Sequence, residues 1–268
     1  MNLITNSNNS QPQFTVVYQP LVCLTTGKVL GFEALLRWQH PTKGSISPAD
    51  FIPIAEDTGL IVPLGNWVLK TAIRQMWIWQ KNFPFILPKA KIAVNLSGKQ
   101  LLHNNLIAQI EAILEETGLD PDRLKLEITE SLLMENFEPA VSVLKQLSKL
   151  GIELLVDDFG TGYSSLGRLQ SLPIDTLKID RCFVAQMDRS VEKLEIVKAI
   201  ANMAQALKIK TIVEGIETPT QLAMIRNLNC HEGQGYYFAK PLDARSITTL
   251  LANKFHWMDS FADVRLKP

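Results

Sequence analysis

Six short apolar runs of this chain each end at a polar side chain that can bind a metal ion or carry a proton. The terminating residues are Glu33, Asn95, Glu127, Asp157, Lys178 and Glu214. Strands that alternate with helices lie parallel, so their carboxyl ends meet at one rim of a barrel or one edge of a sheet. We therefore expect these side chains to converge there, in a site suited to metal ions and a phosphate ester.

The predicted ring of carboxylates requires neutralisation. Two unit charges ~4 Å apart repel by about 4 kcal/mol at an effective dielectric constant near 20, whereas a whole domain is stable by only about 5–15 kcal/mol. Carboxylate and amide oxygens favour hard divalent ions, so the ring predicts Mg²⁺ or Mn²⁺ rather than zinc. The adjacent Asp157 and Asp158 suit two ions about 4 Å apart. For any single carboxylate, capping of the next helix is the competing interpretation.

Two basic residues accompany the carboxylates. Lys178 would orient or deprotonate a nucleophile beside the metal ions, or would simply neutralise acidic neighbours. Arg37 lies four residues beyond Glu33, which we expect to be past the strand end. There it would form a forked contact with a phosphate, or remain an ordinary surface arginine.

Composition limits the class of protein. With 268 residues, 46% of them hydrophobic, the chain is long enough for one large domain. Acidic and basic residues balance at 27 each, so no overall field favours a nucleic acid polymer or an anionic membrane. The three cysteines have no CxxC spacing, which indicates reduced thiols. No apolar run approaches the ~18 residues of a membrane segment, and the start lacks a secretion signal, so we expect a cytoplasmic protein.

The elements needed to position these residues follow an alternating pattern. A first strand over 14–24 and a second ending near Trp38 flank the turn signal Thr26-Gly27, which predicts a hairpin. Further strands are predicted at 91–95, 123–128, 152–157, 175–179, 210–214 and near 230–237. Helices are predicted at 48–58, 64–81, 98–117, 137–149, 190–207, 218–227 and 243–252. About eight strands in this length indicate a closed α/β barrel, with an open doubly wound sheet as the alternative.

The ends of the chain and one internal loop differ from this pattern. Residues 1–13 are polar and predict a disordered lead-in, residues 14–252 form the domain, and 253–268 form a tail. The glycine-rich stretch from Asp158 to Gln170 is the predicted mobile lid. Neither a GxGxxG turn nor a GxSxG elbow occurs where a dinucleotide site or a hydrolase nucleophile would need it.

Several motifs, in this order, carry a close family resemblance. They are Gly31-Phe32-Glu33-Ala34-Leu35-Leu36-Arg37-Trp38, Val94-Asn95-Leu96-Ser97, Leu126-Glu127-Ile128-Thr129-Glu130-Ser131, Asp157-Asp158-Phe159-Gly160-Thr161-Gly162-Tyr163-Ser164-Ser165, Leu177-Lys178-Ile179-Asp180, Glu214-Gly215-Ile216-Glu217-Thr218 and Gln234-Gly235-Tyr236. Together with Tyr18-Gln19-Pro20, they resemble the EAL domains, phosphodiesterases of cyclic di-GMP named for the triplet at 33–35. The resemblance covers about residues 14–252.

The resemblance implies a fold, a reaction and roles for residues. The fold would be a modified TIM (β/α)8 barrel whose first strand is antiparallel to the rest, and the reaction would be hydrolysis of cyclic di-GMP to linear pGpG with two Mg²⁺ or Mn²⁺ ions. The implied ligands are Glu33, Asn95, Glu127 and Asp157 for one ion, and Asp157, Asp158 and Glu214 around the second. The other implied roles are Lys178 for the attacking water, Arg37, Gln19 and Gln234 for substrate, Glu130 for the loop after Asp158, and Glu217 for support of the lysine and the metal water.

Two alternative functions, an expected assembly and a few departures from the family pattern also follow from the sequence. Many EAL domains have lost some of these positions and act only as receptors, so a catalytically silent cyclic di-GMP receptor is one alternative. From the residues alone, an enolase-like Mg²⁺-dependent lyase is another. A homodimer through the loop after Asp158 is the expected assembly. The departures from the family pattern are Cys23, Val213, and the pair Asn229 and His231, of which Val213 adds bulk just before Glu214.

Overall fold

A computed structural model of the chain describes residues 12–135, 137–162 and 166–253. The described strands are β1 (Phe14–Cys23), β2 (Val29–His40), β3 (Gly44–Ile46), β4 (Lys91–Asn95), β5 (Leu124–Thr129), β6 (Glu153–Phe159), β7 (Thr176–Ile179), β8 (Lys210–Val213) and β9 (Glu232–Gly233). The described helices are α1 (Pro48–Asp57), α2 (Ile61–Asn82), α3 (Gly98–Leu101), α4 (Leu106–Thr117), α5 (Glu130–Glu135), α6 (Phe137–Lys149), α7 (Leu166–Ser171), α8 (Arg181–Val184), α9 (Val191–Ala206), α10 (Pro219–Arg226) and α11 (Ala244–Ala252). The predicted lead-in and tail lie largely outside these ranges.

The strands close into a barrel, which confirms the predicted fold class. The sheet runs in the order β1, β9, β8, β7, β6, β5, β4, β2, β3, and the pairing of β1 with β2 closes eight of these strands into a ring. Strand β1 is antiparallel to both of its neighbours, β2 and β9, whereas the pairs from β2 through β4 to β9 are parallel. The hairpin predicted at Thr26-Gly27 therefore supplies the one reversed strand of the barrel.

Two predictions need correction. The helix predicted over 98–117 is two helices, α3 and α4, because residues 102–105 leave the helical path. Strand β2 runs past Glu33 to His40, close to the predicted end near Trp38, and its last residues pair with the unpredicted strand β3. Arg37 therefore lies within a strand and not beyond its end.

The barrel interior is layered. Strand residues alternate between the two faces of the sheet, and two positions below the predicted site residues lie Leu21, Ala93, Leu155 and Ile212, which form a separate, fully buried apolar cluster. Outside the barrel, the helices pack on the opposite faces of the strands. The side chain of Trp79 in α2, for example, contacts Tyr18 and Phe32 with ring centroids 4.8 Å apart in both cases. The apolar layer separates the two ends of the barrel.

Within the described ranges, no helix combines the length and the apolar composition that crossing a membrane requires.

Candidate active site

Lys178 occupies the centre of the predicted ring. Its ammonium nitrogen lies 2.9 Å from Glu127 Oε2, 3.1 Å from Glu33 Oε2 and 3.4 Å from Asp157 Oδ2. Strands β2, β5, β6 and β7 each supply one of these four residues, and all four side chains are buried. The structure thus brings the strand-end carboxylates together, and Lys178 neutralises part of their charge.

Glu33 is fixed from three sides. Asn95 Nδ2 donates to Glu33 Oε1 at 2.9 Å, and Gln234 Nε2 donates to Glu33 Oε2 at 2.6 Å, the oxygen that also accepts from Lys178. Burial alone would raise the pKa of Glu33, but the charge of Lys178 and the bonds from Gln234 and Asn95 hold it below its usual value. Glu33 is therefore an ionised, oriented carboxylate at the barrel mouth.

A second acidic group adjoins the first. One oxygen each of Asp157, Asp158 and Glu214 lie within 4.8 Å of one another. Asp158 has a positive φ of 53°, and its backbone N–H donates to Asp157 Oδ1 at 2.9 Å. The register of β6 against β7 is irregular between Val156 and Phe159. This local irregularity lets two consecutive carboxylates reach the same site, although side chains along a regular strand alternate.

The charges in the site shift several pKa values. Burial and the charge of Asp157 raise the pKa of Asp158 to about 6, and burial raises the pKa of Glu214 to about 7. Burial and the charge of Glu33 raise the pKa of Glu127 well above its usual range. Burial opposes the charge on Lys178, but Asp157, Glu127 and Glu33 hold its pKa well above the ordinary value. The single positive charge of Lys178 therefore offsets only part of the negative charge of the five carboxylates.

The donor set fits divalent cations. Glu127 Oε1 and Gln234 Oε1 are buried acceptor oxygens that receive no hydrogen bond from the described residues. Leaving such atoms without a partner is costly unless a cation or a ligand uses them. Four further carboxylates and the Asn95 amide complete an all-oxygen set, the kind that hard divalent ions prefer. The residues that could hold such ions are Glu33, Asn95, Glu127, Asp157, Asp158 and Glu214.

A cleft of about 370 Å³ leads to the ring. Arg37 lines it together with apolar side chains of α1 and α2. Arg37 Nη1 donates to the carbonyl of Leu36 at 2.8 Å, which fixes the guanidinium on the β2 side of the cleft. Gln19 lies opposite Glu33 in the β1–β2 register, and its Nε2 donates to Ala239 O at 3.1 Å.

The remaining predicted residues divide into two cases. Glu130 is buried, and its Oε2 accepts from the backbone N–H of Gly160 at 2.8 Å and of Gly162 at 3.4 Å. It therefore contacts the start of the loop after Asp158, whereas Tyr163, Ser164 and Ser165 of that loop lie outside the described residues. Glu217 is exposed. No ion pair or hydrogen bond to Lys178 is found for it within the described part of the chain.

Sequence reasoning missed one residue of the site. Asp180 lies two residues after Lys178, and its side chain shares a hydrogen bond with Asp158. Asp180 Oδ1 also accepts from the backbone N–H of Cys182 at 2.7 Å and so caps α8. Its position just after the β7 strand end was the available signal, but a capping role and a site role look alike in sequence.

Comparison with known proteins gives a consistent result. The family model for the EAL domain matches residues 5–241. The cyclic di-GMP phosphodiesterase PdeR of Escherichia coli K12 is 40% identical over 232 residues, which is 87% of this chain and 34% of that protein. The bifunctional diguanylate cyclase/cyclic di-GMP phosphodiesterase MucR of Pseudomonas aeruginosa is 40% identical over 240 residues, 90% of this chain and 35% of that protein. The chain thus spans about a third of the length of these relatives.

A solved structure described as the PaMucR phosphodiesterase in complex with c-di-GMP also matches. It aligns with a TM-score of 0.84 at 41% identity, covering 88% of this chain and 94% of that one.

Proposed function

The chain belongs to the EAL domain family. From this premise we propose that it hydrolyses cyclic di-GMP to linear pGpG with the aid of two divalent cations, Mg²⁺ or Mn²⁺. The relatives named as cyclic di-GMP phosphodiesterases and the related complex with c-di-GMP support the substrate. The observation that carries the proposal is the cluster at the barrel mouth, where Glu33, Glu127 and Asp157 converge on Lys178 beside a second acidic group of Asp158 and Glu214.

The ligand assignment divides the acidic residues between two positions. Glu33, Asn95, Glu127 and Asp157 would hold one ion, and Asp157, Asp158 and Glu214 would surround the other. When bound, divalent cations supply positive charge that polarises a phosphate oxygen and lowers the pKa of water toward neutrality. The buried Glu127 Oε1 without a hydrogen-bond donor supports this assignment, because a cation is the partner that a carboxylate oxygen in such a place lacks.

Lys178 is assigned to the attacking water. Its ammonium group is buried, and the surrounding carboxylates of both proposed ion positions favour its charged form. A charged donor fixed there orients the water for in-line attack without the entropy cost of ordering it during the reaction. Glu33 and Asp157 in turn fix Lys178.

The substrate contacts are assigned to the cleft. The Arg37 guanidinium carries the fork geometry that matches a phosphate diester oxygen pair. Gln19 and Gln234 lie on the β1 and β9 sides of Glu33, and Gln234 Oε1 is an acceptor without a donor in the described residues. Glu130 would act as a positioning residue by holding the loop after Asp158, and Glu217 is assigned to support of the lysine.

One experiment tests the proposal directly. The chain would be incubated with cyclic di-GMP in the presence of Mn²⁺, of Mg²⁺, or of EDTA, and the products would be identified by liquid chromatography and mass spectrometry. We expect linear pGpG with either ion and none with EDTA. Binding of cyclic di-GMP without any product, in both metals, would identify a receptor and refute the enzyme proposal.

A matched pair of variants tests the site. Glu33→Ala should abolish turnover, whereas Glu192→Ala, which removes an exposed carboxylate on α9, should leave it unchanged.

Homodimer formation through the loop after Asp158 and residence in the cytoplasm stay predictions. Analytical ultracentrifugation at several protein concentrations tests homodimer formation.

A further inference from the structure

A second and larger cavity, of about 630 Å³, lies at the opposite end of the barrel. It is lined by the first residues of several strands, among them Lys91 of β4, Lys125 of β5, Lys210 of β8 and Glu232 of β9. The apolar layer of Leu21, Ala93, Leu155 and Ile212 lies between this cavity and the carboxylates around Lys178. The basal cavity is therefore separate from the proposed active site.

The basal cavity concentrates positive charge in a chain that is neutral overall. Five Lys or Arg residues line it against two carboxylates, which leaves an excess of three positive charges. The five are Lys89, Lys91, Lys125, Lys210 and Arg226, and the two are Glu153 and Glu232. Because Lys and Arg equal Asp and Glu at 27 each in the whole chain, this excess is a local feature. A concave surface with walls of low dielectric constant strengthens such a field.

The floor of the basal cavity is held rigidly. Lys125 is only 2% exposed, and its ammonium nitrogen lies 2.9 Å from Glu232 Oε2 and 3.3 Å from Glu153 Oε1. Lys91 also forms an ion pair with Glu153, and Thr176 Oγ1 donates to Glu153 Oε1 at 3.0 Å. Each of the two carboxylates is thus paired with a lysine of the floor, and the charge of Lys210 also acts on Glu153.

The mouth of the basal cavity carries the remaining cations. Lys89 and Lys210 are exposed, and within the described part of the chain neither has a carboxylate oxygen within 4.0 Å of its ammonium nitrogen. Arg226, in the last turn of α10, lines the same opening. His231 Nδ1 accepts from the backbone N–H of Thr211 at 3.2 Å, so the other ring nitrogen, Nε2, is the donor that the ring adds to the lining.

We propose that the basal cavity is a second ligand site, which binds a small molecule carrying two or more phosphate groups. The excess of three positive charges in the lining matches the charge of a diphosphate or triphosphate chain. The exposed Lys89 and Lys210 come from different parts of the fold, so that they can contact different phosphates of one ligand. A lysine contacts a phosphate as a compact charge. The volume lies within the range of about 300–1,000 Å³ that is typical of small-molecule sites.

Isothermal titration calorimetry tests this proposal with sodium tripolyphosphate and with GTP as probes. EDTA is included so that no metal ion can bridge a phosphate to the carboxylates around Lys178. We expect saturable binding of one molecule per chain at about 50 mM salt, weaker at higher salt because the mouth is exposed to solvent. Tighter binding of GTP than of tripolyphosphate would identify the ligand as a nucleotide. Equal affinity for the two probes would show that the site recognises the phosphate chain alone. Either result supports a site for a ligand with two or more phosphate groups.

Variants locate the binding. The double variant Lys89→Gln/Lys210→Gln should weaken binding by at least about tenfold, because it removes two charged donors. The matched control Lys43→Gln/Lys145→Gln removes the same charge at exposed positions outside the basal cavity and should change affinity less than about twofold. Circular dichroism would confirm that each variant is folded.

Three results would overturn the proposal. The first is no saturable binding of either probe at concentrations up to about 1 mM. The second is equal weakening by the double variant and its control, which would mean a diffuse charge effect. The third is loss of binding on Arg37→Gln with no loss on Lys89→Gln/Lys210→Gln, which would place the phosphate in the cleft at the other end of the barrel.

Discussion

Replacement of Lys178 by methionine should strongly destabilise the metal-free protein, and added divalent metal ions should restore much of the lost stability. Methionine keeps an unbranched side chain of similar length, so the packing is largely retained while the charge is removed. The ammonium nitrogen lies within 3.4 Å of three buried carboxylates. Removing one partner of a buried ion pair costs about 3–5 kcal/mol, because the other charge is left uncompensated.

The corresponding fall in melting temperature is about 6–15 °C in EDTA, given a few degrees per kcal/mol for a domain of this size. The loss should be larger at pH 8 than at pH 5. Glu214 and Asp158, whose pKa values are raised to about 7 and about 6, take up protons as the pH falls and so relieve the repulsion themselves. Saturating Mn²⁺ should stabilise the variant more than the wild type, because the ions then meet an unneutralised ring.

Differential scanning calorimetry at both pH values, with EDTA or Mn²⁺, measures these differences. Lys145→Met, an exposed substitution on α6, is the control and should shift the melting temperature by no more than about 2 °C. An equal melting temperature of Lys178→Met and wild type in EDTA at pH 8 would refute the claim that Lys178 is the charge that holds the ring together.

Three other substitutions test separate parts of the molecule. Asp157→Ala, which removes the carboxylate assigned to both ions, should reduce the initial rate with Mn²⁺ below about 1% of wild type, and substantial metal-dependent turnover in a folded variant would contradict the assignment. Glu153→Gln should lower the free energy of unfolding by up to about 3 kcal/mol at pH 7. Burial opposes ionisation there, but Lys125 and Lys91 lower the pKa of Glu153 to about 2. The stabilisation by Glu153 is therefore present above pH ~4.5 and lost as the pH falls toward 2. An equal difference in unfolding free energy between the two proteins at pH 7 and at pH 2, measured by urea titration, would be inconsistent with this. Gly31→Ala should destabilise by at least about 1–3 kcal/mol, because a Cβ at Gly31 would lie 2.2 Å from the carbonyl oxygen of Lys91, and an unchanged urea midpoint would show that β2 and β4 separate easily.

The strand ends were predictable from sequence because burial and polarity change abruptly there. Glu127, Asp157 and Lys178 each follow a short apolar run, and a parallel arrangement leaves them no other place than a common rim. The same rule misplaced Arg37, since β2 continues for seven residues beyond Glu33, whereas β5, β6 and β7 end within two residues of their polar side chains. Strand β2 continues to His40 by pairing with β1 and β3, and its apolar pattern does not show where the barrel rim lies.

Details that depend on tertiary contacts could not be predicted. Helices α5, α7 and α8 have only four to six residues, too few for a helical period to appear in sequence. The break between α3 and α4 lies between Leu102 and Leu106, so the apolar spacing continues across it and indicates one helix. The partners of Lys178 were also open, because sequence alone did not distinguish a lysine that acts on water from a lysine that neutralises carboxylates. In the structure, Lys178 forms ion pairs with Glu33, Glu127 and Asp157.

Alternation along the strands explains why the two ends of one barrel carry opposite charge excesses. In β6 the inward residues are Glu153, Leu155 and Asp157, so a single strand contributes to the basal cavity, the apolar layer and the carboxylate ring in turn. On β5, Lys125 contributes to the basal cavity and Glu127 to the carboxylate ring, and no residue of the apolar layer lies between them. Because Leu155 and the other members of the layer exclude water, each set of charges is compensated by partners at its own end, Lys178 at the rim and Lys125 at the base. The apolar layer therefore gives this barrel two independent polar sites, and a phosphate bound at the base need not disturb the carboxylates at the rim.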